Sequence, residues 1–298
     1  MTTHDLLDLC RFTYLDIPDI YSDKLNRGES LSLSDVAGSL LRLDALCALP
    51  CGRLSESKRV LLEKIRLLPL EIIACENRNS GSGFVAYAFR SSGGSVICVM
   101  RGSERTGRCV PDNIDWKDNF CAPFYGSVQY AEAIRFADRF PRGELILTGH
   151  SKGAHNALYA LGSTANPEAC AIVFNGQGFA RTQLDAAVRA RLRQHGINYV
   201  VADDIVGALL HHPEKRVFVR QADNGAHAHA PEAYLFDDRG EPIPGRRTAR
   251  SRAVELFSQL FLHIHERDAP DWLLAVIRFM FGGTFACPTF ATLSTNDA

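Results

Sequence analysis

From residue 84 onward, short strand-like segments alternate with segments whose apolar residues recur at helical spacing. Parallel strands need long crossover connections, and a helix is the usual one. The alternation therefore favours an α/β fold with a largely parallel sheet and helices on both faces. The predicted strands are 84–89, 95–100, 144–148, 171–174, 198–201 and 216–220, and the predicted helices are 127–139, 151 onward, 182–194, 204–211, 249–265 and 270–281.

Residues 1 to about 75 have a different pattern, in which leucine, alanine and valine recur at helical spacing. The clearest runs are 31–46 and 59–68, and either Ser32 or Ser34 is a candidate N-cap for the first of them. The sequence therefore predicts a helical N-terminal addition to the alternating region.

A polar, glycine-rich segment at 77–83 marks the change from the helical to the strand-like pattern. After it, the apolar runs 84–89 and 95–100 are separated by the turn residues 91–94. This arrangement predicts a β-hairpin at the start of the sheet.

The charge balance bears on which partners the chain can bind. Its 298 residues include 33 basic and 34 acidic side chains, which gives a formal net charge of -1. General nucleic-acid binding normally needs a strongly basic face, so we expect no nucleic-acid partner.

The N-terminal residues have no basic region followed by an uninterrupted apolar stretch, so we expect a cytoplasmic protein or one exported by a route that the sequence does not reveal. The segment 270–281 is apolar, but its 12 residues are too few to span a bilayer, and Arg278 interrupts it. We therefore predict that this segment packs on the protein body or borders a substrate entrance.

The cysteines are odd in number and scattered, which predicts reduced core residues rather than a disulfide framework. Cys47 and Cys51 lack a partner pair at zinc spacing, so we expect no structural metal. The nine are Cys10, Cys47, Cys51, Cys75, Cys98, Cys109, Cys121, Cys170 and Cys287.

The predicted strand 144–148 runs into Gly149-His-Ser-Lys-Gly153 and then into a helix-like segment. This is the G-x-S-x-G nucleophile elbow in the strand–turn–helix context that the motif requires. Such a turn exposes Ser151, and the helix N-terminus after it presents N–H groups to a developing oxyanion. The pattern indicates nucleophilic catalysis by Ser151.

In hydrolases with this elbow, an acid and then a histidine follow the serine along the chain. Asp203 and Asp204 come directly after the strand 198–201, and we favour Asp204 as the acid. His227 and His229 lie in a later loop, where a catalytic imidazole usually sits, and this favours them over His211 and His212 in the predicted helix 204–211. Metal binding by His227 and His229 is the rival interpretation of that pair.

An oxyanion hole needs one N–H from the residue after the nucleophile, here Lys152, and a second donor from a loop after an earlier strand. Gly102 and Ser103 follow the predicted strand 95–100, where Gly102 gives backbone access and Ser103 adds a hydroxyl. The alternative is that these residues form only a turn.

Taken together, these motifs resemble the class 3 lipase-like α/β-hydrolases, in particular a bacterial branch with a G-H-S-K-G elbow. The resemblance covers roughly 84–237 and includes further segments, Asp115-Trp-Lys-Asp-Asn-Phe120 and Phe174-Asn-Gly-Gln-Gly-Phe179. It implies an α/β-hydrolase fold and, by matching position, places Ser103 in the oxyanion hole and a triad on Ser151, Asp204 and His229.

These observations predict a single domain over 1–298, with a helical region at 1–76, a catalytic core at 84–237 and C-terminal helices at 249–281. The expected activity is carboxylic ester hydrolysis on a small-molecule or lipid ester, with no cofactor and with a peripheral lipid contact left open. The alternatives are a catalytically silent binding module and a thioesterase, acyltransferase or peptidase that uses the same triad.

Overall fold

The computed structural model describes residues 1–15, 17–49, 52–103 and 114–265. Within them, eight strands form one sheet in which the spatial order follows the order along the chain. Strands β1 to β4 pair antiparallel, and β4 to β8 pair parallel. The strands are β1 Leu31–Ser32, β2 Leu70–Arg78, β3 Phe84–Ser91, β4 Val96–Met100, β5 Leu145–Gly149, β6 Ala169–Phe174, β7 Gly196–Val201 and β8 Lys215–Val219.

Helices precede the sheet and connect its parallel strands. In the described part of the chain, four lie before β2, two between β4 and β5, one in each of the next two crossovers, and one after β8. They are α1 Thr3–Phe12, α2 Asp19–Asn26, α3 Leu33–Ala45, α4 Glu56–Ile65, α5 Ile114–Tyr125, α6 Tyr130–Ala137, α7 Lys152–Ser163, α8 Ala186–His195 and α9 Ala249–Ile264.

The two faces of the sheet are covered by different parts of the chain. Crossover connections between parallel strands are right-handed, and here each one leads to the next strand in the same direction across the sheet. The helices of these crossovers therefore cover the same face. There Phe136 of α6 packs edge-on against Phe84 of β3. On the other face, Phe12 of α1 contacts Tyr87 and Phe89, with ring centroids 5.7 and 6.0 Å apart. The N-terminal helices thus supply the second helical layer.

This arrangement confirms the predicted α/β-hydrolase architecture, a mostly parallel sheet flanked by helices with a helical N-terminal addition. The predicted hairpin is β3 and β4, paired antiparallel. Of the two candidate caps for α3, Ser32 fills the position, and its Oγ accepts from the Asp35 N–H at 3.3 Å. The single-domain prediction stays a prediction.

Two secondary-structure predictions are wrong. The region up to about 75 is not helical throughout, because β2 begins at Leu70 and pairs with β3 across the 79–83 turn. The predicted short helix near 204–211, with His211 and His212 at its end, is a series of turns and bends. Asp204 accepts hydrogen bonds from the N–H groups of Val206 and Gly207, and such local bonds compete with helix formation.

The structure also bears on the cysteines and the apolar segments. Cys10, Cys98 and Cys121 are buried, as predicted for core residues, whereas Cys47 is exposed and is not a core residue. No helix in the described part of the chain is long and apolar enough to cross a membrane. The segment 270–281 and Cys51, Cys109 and Cys287 lie outside the described residues.

Candidate active site

Ser151 occupies the turn between β5 and α7 with φ 59° and ψ −122°, a backbone conformation that non-glycine residues rarely adopt. The turn is sharp because its flanking positions have no side chains. A Cβ on Gly149 would overlap the backbone of Gly153, and a Cβ on Gly153 would overlap the carbonyl oxygen of Met100. Backbone strain of this kind typically persists at functional sites.

Three side chains form a hydrogen-bonded chain at this turn. The Oγ of Ser151 lies 2.8 Å from Nε2 of His229, and Nδ1 of His229 lies 3.1 Å from Oδ1 of Asp204. A carboxylate can only accept, so Nδ1 carries the proton and Nε2 of the neutral ring is free to accept from Ser151. The structure therefore brings together all three residues of the predicted triad, in an arrangement suited to proton transfer from the serine.

The Asp204 side chain is fully buried, and the N–H of Gly207 donates to its Oδ2 at 2.7 Å. Its neighbour Asp203 faces elsewhere, because Oδ1 accepts from the Thr248 hydroxyl and Oδ2 pairs with Arg250 at the start of α9. Of the two aspartates, Asp204 is the one whose carboxylate contacts the imidazole.

The other histidine candidates lie away from the serine. His227 is exposed, and its Nδ1 accepts from the backbone N–H of His229. His211 contacts the guanidinium of Arg181, and His212 is paired with the buried Glu214 at 2.7 Å. Among these residues, only His229 reaches Ser151.

Two buried side chains fix the loop that carries His229. Nε2 of His150 donates to the carbonyl oxygen of His229 at 2.8 Å, and the Asn175 amide donates to that of Ala228 at 3.2 Å. Burial, together with the nearby His229, lowers the pKa of His150 to about 3, so this ring stays neutral. Asn175 belongs to the segment 174–179, which the sequence singled out only by resemblance, and its bond to the His229 loop gives this residue a structural role.

The two predicted oxyanion donors lie close to the serine in different ways. The backbone N–H of Lys152 begins α7 and has no acceptor within its own helix. A Cβ on Gly102 would lie 3.4 Å from the Cβ of Ser151, which places the 102–103 turn directly beside the nucleophile. The Asn119 amide donates to the Ser103 Oγ at 2.7 Å, which leaves the hydroxyl proton of Ser103 free to donate.

Comparison with known proteins identifies the family. A family model described as Mbeg1-like matches residues 61–266, more than half of the chain. The chain belongs to the Mbeg1-like family. No curated protein matches it.

Two solved structures are similar to this Mbeg1-like protein at low identity. A mutant form of MDLA from Penicillium cyclopium has 15% identity and a TM-score of 0.38, covering 77% of this chain and 88% of that one. A native lipase propeptide complex from Rhizomucor miehei has 17% identity and a TM-score of 0.34, covering 68% and 69%. The fold assignment therefore rests on the strand order and the elbow described above.

One residue beside the site comes from outside the family match. The hydroxyl of Tyr14 is hydrogen-bonded to the backbone of Gly102, and a Cβ on Gly102 would overlap it. Burial raises the pKa of Tyr14, so the phenol stays protonated. Sequence reasoning missed this residue because it follows α1, far from every catalytic motif in the chain.

Proposed function

We propose that this Mbeg1-like protein is a serine hydrolase that cleaves carboxylic esters through an acyl-enzyme intermediate. The observation that carries the proposal is the unbroken chain from Asp204 through His229 to Ser151 at a strained elbow. The resemblance to class 3 lipase-like hydrolases supports the same conclusion and favours a small-molecule or lipid ester as substrate.

In the proposed first step, Nε2 of His229 takes the hydroxyl proton as the Ser151 oxygen bonds to the acyl carbon. The carbonyl electron pair moves onto oxygen, and the Lys152 N–H and the Ser103 hydroxyl donate to that oxyanion. His229 then gives its proton to the departing alkoxide. Water, deprotonated by His229, then attacks the acyl carbon. The bond between that carbon and the Ser151 oxygen breaks, His229 returns the proton to this oxygen, and the acid is released.

Asp204 has a supporting role in this mechanism. Its carboxylate accepts from Nδ1–H, which orients the ring and stabilises the imidazolium that forms in each step. Because Asp204 is buried and also accepts from the N–H of Gly207, its oxygens are held in place without competition from water.

A labelling experiment tests the proposal. The purified protein should react with a fluorophosphonate probe and hydrolyse nitrophenyl esters of short or medium acyl chains. Ser151→Ala should abolish labelling and lower kcat by at least ~10³-fold with the fold intact. Ser163→Ala, an exposed serine at the end of the same helix, is the matched control and should behave as wild type.

The outcome also separates the alternatives. No labelling and no turnover by the folded wild-type protein would support a silent binding module. Labelling of Ser151 with preference for thioesters or amides would place the same triad in a different reaction class. Residual activity of Ser151→Ala within tenfold of wild type would contradict the proposed nucleophile.

A further inference from the structure

The side chain of Lys152 enters a buried polar cluster beneath the elbow. Its ammonium lies 2.6 Å from Oδ2 of Asp118 and 3.6 Å from Oδ1 of Asp115, and it donates to the Asp115 carbonyl oxygen at 3.2 Å. All three side chains are at least 94% buried. The esterase proposal uses only the backbone N–H of Lys152, so this ammonium has no assigned role.

Further donors complete the cluster. The Ser127 hydroxyl and the Val128 N–H donate to Asp118, and the Gln129 amide donates to Asp115 at 2.9 Å. Buried carboxylates are costly without such partners, so these hydrogen bonds help to stabilise both aspartates in the interior. The cluster is therefore built to hold both aspartates at fixed positions.

The aspartates share a helix with the residue that contacts the oxyanion hole. Asp115, Asp118 and Asn119 lie at i, i+3 and i+4 of α5, which places them on one face of that helix. The Asn119 amide donates to the Ser103 hydroxyl, the second proposed oxyanion donor. Lys152 is thus linked to both proposed oxyanion donors. Its own backbone N–H is the first, and its side chain is connected through α5 to the second, the Ser103 hydroxyl.

Stability alone does not explain a buried ion pair at this place. Taking both charges out of water is costly, and apolar replacements of such pairs often leave a protein equally stable or more so. An ion pair does, however, fix the relative position of two elements, because its attraction depends on close approach and on the direction of the hydrogen bonds. The cluster is suited to holding α5 in one register against the elbow.

We propose that Lys152, through Asp118 and Asp115, is a positioning residue that holds α5 so that Asn119 orients the Ser103 hydroxyl toward the oxyanion. This inference rests on the proposed function. It assigns a role to the lysine in the G-H-S-K-G elbow that a nucleophile turn by itself does not require.

The main test replaces the ion pair with neutral side chains of similar size. Lys152→Met combined with Asp118→Asn avoids leaving Asp118 as a buried charge facing an apolar side chain. We expect kcat for a nitrophenyl ester to fall about tenfold or more, with KM within threefold and a urea midpoint close to that of wild type. Unchanged kcat in this folded variant would overturn the proposal.

A matched control uses another lysine–aspartate pair, which joins α4 to α1 rather than α5 to the elbow. Lys64 of α4 lies 2.5 Å from the buried Asp8 of α1. Lys64→Met combined with Asp8→Asn should leave kcat within about twofold of wild type, whatever its effect on the urea midpoint. An equal loss of kcat in this control would show that the first variant reports general destabilisation, and it would count against a positioning role.

A double-mutant cycle with Ser103→Ala tests whether the ion pair acts through that hydroxyl. When Ser103 is already alanine, adding the Lys152→Met and Asp118→Asn changes should lower kcat less than threefold further. A full additional tenfold loss would mean that the cluster acts by some other route, and would overturn the inference.

Hydrogen–deuterium exchange judges the inference separately from the activity. Peptides covering 96–103 and 114–125 should exchange faster in the neutral variant, with the β6 peptide unchanged. If wild type proves inactive toward esters and fluorophosphonate, the proposed function fails, yet faster exchange in these two peptides would still support the role in positioning. Unchanged exchange in both peptides would overturn it.

Discussion

At the scale of single residues, the site is decided by which side chain of a similar pair makes contact. Asp203 and Asp204 are adjacent and chemically identical, yet only Asp204 contacts the imidazole, at 3.1 Å. His227 and His229 are two positions apart, and only His229 lies within hydrogen-bonding distance of Ser151. In each pair, only one member takes part in the chain of hydrogen bonds that ends at Ser151.

Replacement of each loop histidine should separate their roles. We expect His229→Ala to lower kcat by about 10³-fold or more, because Ser151 loses its proton acceptor. His227→Ala should retain activity within a few fold, since this side chain is exposed and contacts only the backbone N–H of His229 among the bonds described. Ester hydrolysis by both variants at equal folded fraction is the measurement, and the reverse order of losses would contradict the assignment.

At the scale of elements, the junction of β5 and α7 is the tightest packing around the site. The two elbow glycines contact each other, and Gly153 also lies against the backbone at the end of β4. Gly102 lies against the carbonyl oxygen of His150. Because backbone atoms surround Gly149 and Gly153, these two positions cannot accept a methyl group without movement of the backbone.

Glycine-to-alanine substitutions test this packing. Gly153→Ala should lower the free energy of unfolding by about 2 kcal/mol and impair ester hydrolysis, because its Cβ overlaps the Met100 carbonyl. Gly38→Ala in α3 is the matched control. The nearest atom to its Cβ is the Arg42 guanidinium at 3.5 Å, so we expect a gain of about 0.5–1 kcal/mol from helix propensity.

Urea denaturation of both variants provides the measurement. If the two substitutions change the free energy of unfolding equally, the close approach of β4 and α7 is contradicted. In that case the Cβ added at Gly153 would cause no destabilising overlap.

At the scale of the whole molecule, the two buried faces of the sheet place histidines in an apolar interior. Burial lowers the pKa of His150 to about 3 and that of His155 to about 4, from 6.5. His155 lies between the Tyr130 hydroxyl at 2.6 Å and the Gln177 carbonyl oxygen at 3.2 Å, in a site that favours a neutral ring. The folded protein therefore resists protonation that the unfolded chain accepts.

This difference predicts a loss of stability in acid. Below about pH 6.5 the unfolded chain binds a proton at each of these two rings. In the folded chain, His155 binds its proton only near pH 4 and His150 only near pH 3. The stabilisation is complete above pH 6.5 and declines as the pH falls toward those values. Each ring contributes up to about 1.4 kcal/mol per pH unit within its window.

Urea denaturation between pH 6.5 and 4.5 measures the effect. His155→Gln should reduce the pH slope of the unfolding free energy by about 1.4 kcal/mol per pH unit, and His263→Gln, an exposed position in α9, should leave it unchanged. Identical slopes for all three proteins would show that His155 gains its proton equally in the folded and unfolded states.

The sequence by itself determined the local features whose physical cause is local. The alternation of patterns predicted the parallel strands and their helices, because side-chain periodicity follows from backbone geometry. The glycines around Ser151 predicted the elbow for the same reason, since a sharp turn at close packing needs small neighbours. The hairpin of β3 and β4 was predicted from its turn residues.

Tertiary structure alone decided what depends on contacts between distant segments. Strand β2 was mistaken for helix because its conformation depends on pairing with β3, which spacing within 70–78 does not reveal. Asp204, Asn175 and Tyr14 meet the site from places tens to more than a hundred residues away from Ser151 along the chain. Sequence patterns report the preferences of a local segment, whereas the partner of a buried polar group is fixed only when the sheet and its two helical layers pack together.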